Sequence, residues 1–87
     1  MTLVSTAEPP EREGLAVRWT MSDGKRKIVC WARAAALEKL EENSDLKKED
    51  YLQAFNKHRS VFEAQASAIF ARGLLDGNAI VVRPENV

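Results

Sequence analysis

Residues 15–32, LAVRWTMSDGKRKIVCWA, have an apolar side chain at every second position on both sides of an Asp-Gly pair. Such alternation is typical of β-strands that bury one face and leave the other open. The Asp23-Gly24 pair suits a two-residue type I′ turn, which needs positive φ angles, so this stretch predicts a β-hairpin. The hairpin constrains the fold more than any other feature, because it separates a buried face of a sheet from an open one.

A turn at Asp23-Gly24 also fixes the pairing of the two strands. Closing the loop there gives three pairs on the buried face, which are Trp19 with Ile28, Val17 with Cys30 and Leu15 with Ala32. The three pairs on the open face are Thr20 with Lys27, Arg18 with Val29 and Ala16 with Trp31. A slip of one residue would mix the two faces, and a buried face resists that change.

Two helices and one further strand are predicted after the hairpin. Residues 33–42 are rich in alanine and leucine and predict a short helix. Residues 48–72 contain no proline or glycine and repeat apolar side chains at three- and four-residue spacing, which predicts one long helix. Gly73 suits the left-handed position that ends such a helix, and Leu74 would then pack back on Ile69. Residues 79–83, AIVVR, predict a third strand that ends at Pro84.

These elements predict an α+β fold in the order β-β-α-α-β. We expect a small antiparallel sheet, made of the hairpin and the C-terminal strand, with two helices packed on one face. Residues 15–83 form this single domain, and residues 84–87 form a C-terminal tail. Residues 1–14 contain Pro9-Pro10 and three glutamates, so we expect a flexible or extended N-terminal arm. Leu3 and Val4 of that arm could add a short extra strand.

Four segments, taken in order, resemble a known family. They are the hairpin VRWTMSDGKRKIVC, the helix start AAALEKL, the helix AFNKHRSVFEAQASAIFARG and the terminal strand DGNAIVV. Together they are similar to the short uncharacterised bacterial proteins catalogued as domain of unknown function 1488, over nearly all of residues 15–82. The N-terminal arm departs from the family pattern. The resemblance implies a small α+β fold without an assigned activity, so it carries no functional residue over to this chain.

Charge and cysteine content exclude several classes of function. The chain carries 13 basic and 13 acidic residues, and this zero net charge gives no general attraction to nucleic acid or to anionic membranes. One cysteine, Cys30, and one histidine, His58, make neither a disulfide nor a zinc site, so we expect no metal and no cofactor. Cys30 falls on the buried face, where a packing role is favoured. The sequence contains neither a signal peptide nor a long apolar run, and we therefore expect a cytoplasmic protein.

The first candidate site is His58-Arg59 in the long helix. In the functional interpretation, Arg59 forms a weak anion site with the help of His58. In the structural interpretation, which we favour, the Arg59 stem packs at the edge of the core while its head binds Glu63. Because no nucleophile stands at motif spacing, an enzyme centred on His58 and Arg59 is our third hypothesis for the function.

The second candidate site is the open face of the sheet. Its candidate residues are Arg18, Lys27, Val29, Trp31 and Arg83. Aromatic and arginine side chains are enriched at protein interfaces, so the first hypothesis is a non-enzymatic module that self-associates as a homodimer or binds a partner protein. The alternative is a weak binder of single-stranded nucleic acid, with bases stacked on Trp31, which the zero net charge disfavours. A simpler interpretation is that the arm containing Leu3 and Val4 covers Trp31.

Overall fold

A five-stranded sheet carries three α-helices on one face in the computed structural model, which describes residues 3–87. The elements are β1 (Val4–Ser5), β2 (Glu11–Glu13), β3 (Ala16–Ser22), β4 (Lys27–Arg33), α1 (Ala34–Glu41), α2 (Tyr51–Lys57), α3 (Arg59–Ala71) and β5 (Ala79–Val82). Two 3-10 turns, Lys48–Asp50 and Pro84–Asn86, precede α2 and follow β5. The predicted α+β fold class is therefore confirmed, and the arm adds two short strands to it.

The sheet is mixed rather than wholly antiparallel. Both β1 and β2 pair with β3 in the antiparallel sense, and β3 pairs in the same sense with β4. In contrast, β5 runs parallel to β4, and Trp31 pairs with Val81. The prediction of an antiparallel C-terminal strand is wrong because the three helices carry the chain back to the end where β4 begins, and helical crossovers of this kind join parallel strands.

The β3–β4 hairpin forms, but its register differs by two residues from the predicted one. Trp19 faces Cys30 instead of Ile28, and Arg18 faces Trp31 instead of Val29. A shift of two residues keeps every side chain on its own face, because strand side chains alternate with a period of two. The predicted pairs are therefore wrong. The predicted division into a buried and an open face is confirmed by the alternating burial of both strands, but Leu15, which was expected on the buried face, lies in the turn before β3 and is 60% exposed.

The register differs because residues 23–26 form a loop of four residues in place of a two-residue turn. The Oδ1 atom of Asp23 accepts hydrogen bonds from the backbone N–H groups of Lys25 and Arg26, at 2.8 and 2.7 Å. These bonds hold the pKa of Asp23 below its ordinary value. Gly24 has a φ of 99°, but Asp23 does not adopt the positive φ that a type I′ turn requires. The Asp23 side chain thus stabilises a four-residue loop, which is wider than the two-residue turn that the Asp-Gly pair predicts.

The predicted long helix over residues 48–72 is divided at His58. The residue has φ −108° and ψ 17°, outside the helical range, and separates α2 from α3. The prediction of a single helix is therefore wrong. The end of α3 follows the prediction, because Gly73 has a φ of 69° and the N–H of Leu74 donates to the Ile69 carbonyl at 3.1 Å. The Leu74 side chain is nevertheless 62% exposed, in contrast to the expected packing on Ile69.

The core lies between the inner face of the sheet and the helices. At its centre the rings of Trp19, Phe55 and Phe62 have centroids 4.8 to 6.2 Å apart. Cys30 is completely buried in the same cluster, as predicted, and this burial raises its pKa to about 12. Within residues 3–87, no helix is both long and apolar enough to cross a membrane. The inner face of the sheet is fully occupied, which leaves the opposite face as the surface without a layer over it.

Candidate functional site

The N-terminal arm lies along the outer edge of β3. Leu3 is 4% exposed and belongs to the core, and its carbonyl accepts a hydrogen bond from Ser67 Oγ at 3.3 Å. Ser5 Oγ donates to Glu63 Oε1 at 2.6 Å, which fixes β1 beside α3. The expected short strand at Val4 is present. Because the arm follows β3 and anchors Leu3 on the helix side, these residues do not act as the predicted cover over Trp31.

Three glutamates of the arm bind the basic residues in the middle of the open face. Arg18 contacts Glu11 at 2.8 Å and also contacts Glu13, while Lys27 contacts Glu8. Hydrogen bonds from Lys27 and then from Thr20 hold the pKa of Glu8 below its ordinary value. Exposed pairs of this kind contribute little to stability, but they compensate the positive charge of Arg18 and Lys27 on this surface.

These glutamates did not belong to the predicted site. The sequence holds one signal for them, since residues 15–33 carry five basic side chains against Asp23 while the arm just before them carries only Arg12 among its glutamates. What the sequence lacks is the position of the arm. In the structure, β2 pairs with β3 so that Glu11 faces Arg18 and Glu13 faces Ala16. This pairing brings the two carboxylates onto the open face.

Trp31 is half-buried at the side of a shallow apolar depression. The depression has a volume of about 340 Å³ and is lined by Leu15, Ala16, Trp31, Arg33 and Val81. Leu15, in the turn between β2 and β3, is 60% exposed. An exposed leucine beside a partly exposed tryptophan makes a continuous apolar surface, and such surfaces mark interaction sites more often than isolated apolar residues do.

The candidate residues of the open face differ in their surroundings. Val29 is half-buried and faces Thr20 in β3. Arg83 follows the end of β5 and lies 3.4 Å from Asp76 in an exposed ion pair. Arg33, which the prediction did not include, is exposed at the end of β4 and lines the depression beside Trp31. Trp31, Arg33, Val81 and Arg83 therefore lie on the β4–β5 side of the face, and the glutamates lie on the arm side together with Arg18.

The outer edge of β5 is closed at both ends by backbone hydrogen bonds. The N–H of Ala79 donates to the Asp76 carbonyl at 3.2 Å, and the N–H of Asp76 donates to the Ala79 carbonyl at 2.8 Å. At the other end, Arg83 donates its N–H to Asn86 Oδ1 at 2.9 Å. Every second residue of a strand directs its backbone N–H and C=O groups to the same edge, so Ala79, Val81 and Arg83 share the outer edge of β5. Val81 is the position between the two closed ends. Addition of a strand from another chain is hindered at this edge, and the face is the more accessible surface.

His58 and Arg59 are bound to different carboxylates. His58 Nε2 lies 2.7 Å from Glu41 Oε2, and Arg59 Nε donates to Glu63 Oε2 at 3.2 Å. Lys57 Nζ lies 3.1 Å from the same Glu41 oxygen. The Arg59 contact is the one that the structural interpretation predicts. The anion site at these residues stays a prediction, and an anion there would compete with Glu41 and Glu63. Within residues 3–87, no three His, Cys, Asp or Glu side chains are grouped to hold a metal ion.

Comparisons with known proteins agree with this fold and give no activity. A family model described as "Protein of unknown function (DUF1488)" matches residues 8–81. The crystal structure of a protein of unknown function from the DUF1488 family of Shewanella loihica PV-4 superposes on this chain with a TM-score of 0.81. The superposition covers 93% of this chain and 91% of that chain at 21% sequence identity, so the likeness extends to the fold alone. No curated protein matches the chain.

Proposed function

Because this chain belongs to the DUF1488 family, whose function is unknown, we propose a function from its own surface: a protein-interaction module that self-associates through the open face of the sheet. The observation that carries the proposal is the apolar surface around Trp31. Leu15 is 60% exposed and Trp31 is half-buried, and both line the same depression. Association would remove this surface from water, which is the dominant favourable contribution to protein binding.

The composition of the face supports a protein partner. An aromatic side chain at the centre with arginines around it is the composition that interfaces favour. Here Trp31 and Arg33 line the same depression. The proposal requires no reacting group, and His58 and Arg59 are bound to their own carboxylates.

Nucleic-acid binding is the weaker use of the same face. Binding to phosphate depends on cations that can release their counterions. Arg18 and Lys27 already contact Glu8, Glu11 and Glu13, so a phosphate would have to displace a carboxylate at each position. Those carboxylates would also repel the nucleic-acid backbone.

The proposal is tested by sedimentation of the protein over a concentration series, from about 10 μM to about 1 mM, which covers weak dimers. We expect a dimer that forms as concentration rises, and we expect Leu15→Ser to weaken it by roughly tenfold, equivalent to about 1.4 kcal/mol. The matched control is Leu74→Ser, because Leu74 is 62% exposed and does not line the depression. The control should sediment like the unchanged protein.

Two results would overturn the proposal. One is a monomer throughout the series. The other is equal weakening by Leu15→Ser and Leu74→Ser, which would place the contact elsewhere. Fluorescence anisotropy with a labelled single-stranded RNA tests nucleic-acid binding, the alternative use of the face. Binding that weakens with salt and is lost in Lys27→Ala, in a protein that stays monomeric, would replace the proposal with nucleic-acid binding.

A further inference from the structure

We infer that the partner on the open face is a second copy of this chain, packed face to face about a two-fold axis parallel to the strands. The inference rests on the proposed function and adds to it the arrangement of the two copies and the residues that meet. What carries it is the charge left after the ion pairs within the chain. At the arm side, Arg18 compensates one of the two carboxylates of Glu11 and Glu13. At the β5 side, Asp76 compensates Arg83 but not the neighbouring Arg33.

Two rows of open-face side chains run across the sheet from the arm to β5. The register places the first row in the order Glu13, Ala16, Arg33 and Arg83, since Arg83 follows Val82 in the direction in which Arg33 follows Ala32. It places the second row in the order Glu11, Arg18, Trp31 and Val81. The first row therefore begins with a carboxylate and ends with two guanidinium groups.

A two-fold axis parallel to the strands, between β3 and β4, makes these rows complementary to themselves. It places β2 of one copy over β5 of the other, and β3 over β4. Glu13 then faces Arg83 of the second copy, and Arg18 faces Trp31 of the second copy. Each contact occurs twice, as in every interface with this symmetry. Opposite charges meet at both sides, and a guanidinium group over an indole ring is a favourable contact.

The other axis that keeps the strands aligned is excluded by charge. Aligned sheets pack about 10 Å apart with their strand directions within about 30° of each other, and an axis perpendicular to the strands, in the plane of the interface, also satisfies this geometry. When it passes through the middle of β3, that axis places β2 over β1 of the second copy, and it places Arg33 over Lys27 of the second copy, so that two cations face each other. Like charges facing each other across an interface cost free energy, which selects the axis parallel to the strands.

The size of the face predicts a weak dimer. The seven residues of β3 and of β4 extend over about 23 Å, and four strands about 4.8 Å apart span roughly 19 Å. The projected area is then roughly 400 Å², whereas a stable interface of standard size buries about 800 Å² of accessible surface on each partner. We therefore expect dimer dissociation in the micromolar range or above.

Charge reversal on two separate chains tests the arrangement. One variant is Glu13→Lys, and the other combines Arg33→Glu with Arg83→Glu. Each variant alone places like charges at both sides of its own dimer, so we expect its self-association to fall by at least roughly tenfold. In an equimolar mixture the reversed residues face each other, and the unchanged Glu13 of one variant faces the unchanged arginines of the other. We expect the mixture to dimerise at least as well as the unchanged protein.

The matched control has the same changes in net charge on another surface. Glu49→Lys is the control for the first variant, and the combination of Lys47→Glu with Lys48→Glu is the control for the second. All three positions are exposed and lie in or just before the 3-10 turn that leads to α2. Each control should dimerise like the unchanged protein, alone and in the mixture. Circular dichroism of every single variant confirms that it folds, which we expect because the altered side chains are exposed.

A covalent readout answers the question independently of charge. Glu13 and Arg83 lie three strand spacings apart in one copy, roughly 14 Å, which is too far for a short bis-maleimide to bridge within the chain. In the proposed dimer, Glu13→Cys with Arg83→Cys places the new thiols opposite each other on sheets about 10 Å apart. This separation is too large for a disulfide, but a short bis-maleimide can span it and should give a covalent dimer. The control Glu13→Cys with Ser60→Cys, in α3, should remain monomeric on a non-reducing gel.

The outcomes separate this inference from the proposed function. A protein that dimerises through Leu15, while the charge variants behave like the unchanged protein and no covalent dimer forms, would overturn the arrangement and leave the proposed function in place. A monomer at all concentrations would overturn both. Recovery in the mixture together with the covalent dimer supports both.

Discussion

His58 Nε2 lies 2.7 Å from Glu41 Oε2, and this contact joins the interruption between α2 and α3 to the last residue of α1. Hydrogen bonds from His58 and then from Lys57 hold the pKa of Glu41 below its ordinary value of 4.5. A carboxyl group whose pKa is lowered by folding stabilises the protein above its unfolded pKa, and this stabilisation is lost as the pH falls through the folded pKa.

Glu41→Gln should therefore reduce the acid sensitivity of the fold. We expect its free energy of unfolding to fall less steeply below about pH 4.5 than that of the unchanged protein. Urea unfolding followed by circular dichroism, from neutral pH to about pH 3, measures the two slopes. Glu49→Gln, at an exposed glutamate, should keep the slope of the unchanged protein. Parallel curves for Glu41→Gln and the unchanged protein would show that the contact with His58 carries no pH dependence.

Phe62→Ala should be among the most damaging single changes. Phe62 is completely buried, and its ring centroid lies 5.4 Å from that of Phe55 and 6.2 Å from that of Trp19. The cavity should lower the free energy of unfolding by about 3–5 kcal/mol. Phe70→Ala removes the same side chain from a half-buried position in the same helix and should cost less than half as much. Equal losses in urea unfolding would contradict the assignment of Phe62 to the centre of the core.

Gly73→Ala tests the left-handed ending of α3. A Cβ atom at Gly73 would meet nothing within 4 Å, so the cost comes from the φ of 69° and not from a clash. We expect a loss of about 1 kcal/mol in the free energy of unfolding. Gly73→Asn should lose less, because asparagine adopts this backbone conformation more readily than alanine does. The prediction fails if alanine is tolerated as well as asparagine in thermal or urea unfolding.

The thiol of Cys30 should react only when the protein unfolds. Cys30 is completely buried, and burial raises its pKa to about 12, so the reactive thiolate is scarce at neutral pH. Labelling with a thiol reagent should be slow in buffer and should accelerate in urea together with the loss of circular dichroism. A chain carrying Cys30→Ala and Ser60→Cys, with the thiol at an exposed position, should react at once. Rapid labelling of Cys30 in buffer would reveal local opening of the sheet.

The two faces of the hairpin could be predicted from the sequence, but its register could not. Alternation of side chains identifies a face, and a shift of two residues leaves that alternation unchanged. The register depends on the loop, where Asp23 accepts two backbone hydrogen bonds that the Asp-Gly pattern does not imply. Face assignment therefore follows from local pattern, whereas pairing depends on a single side chain in the turn.

Features that depend on distant residues were also missed. No proline or glycine marks the interruption at His58, and the contact that accompanies it comes from Glu41, 17 residues earlier. The direction of β5 depends on where the helices return the chain, which apolar spacing does not encode. For the same reason Trp31 and Arg18 could be placed on one open face, while the carboxylates of Glu11 and Glu13 beside Arg18 could not.

The hydrogen bonds of Asp76 and Asn86 at the outer edge of β5, and the arm along the opposite edge, have a consequence for the chain in a crowded solution. Exposed strand edges are templates on which proteins grow into fibres, one chain after another. This sheet offers no long run of open backbone groups at either edge of its described residues. In the proposed dimer the open face is covered once two chains have met, so we expect growth to stop at a pair.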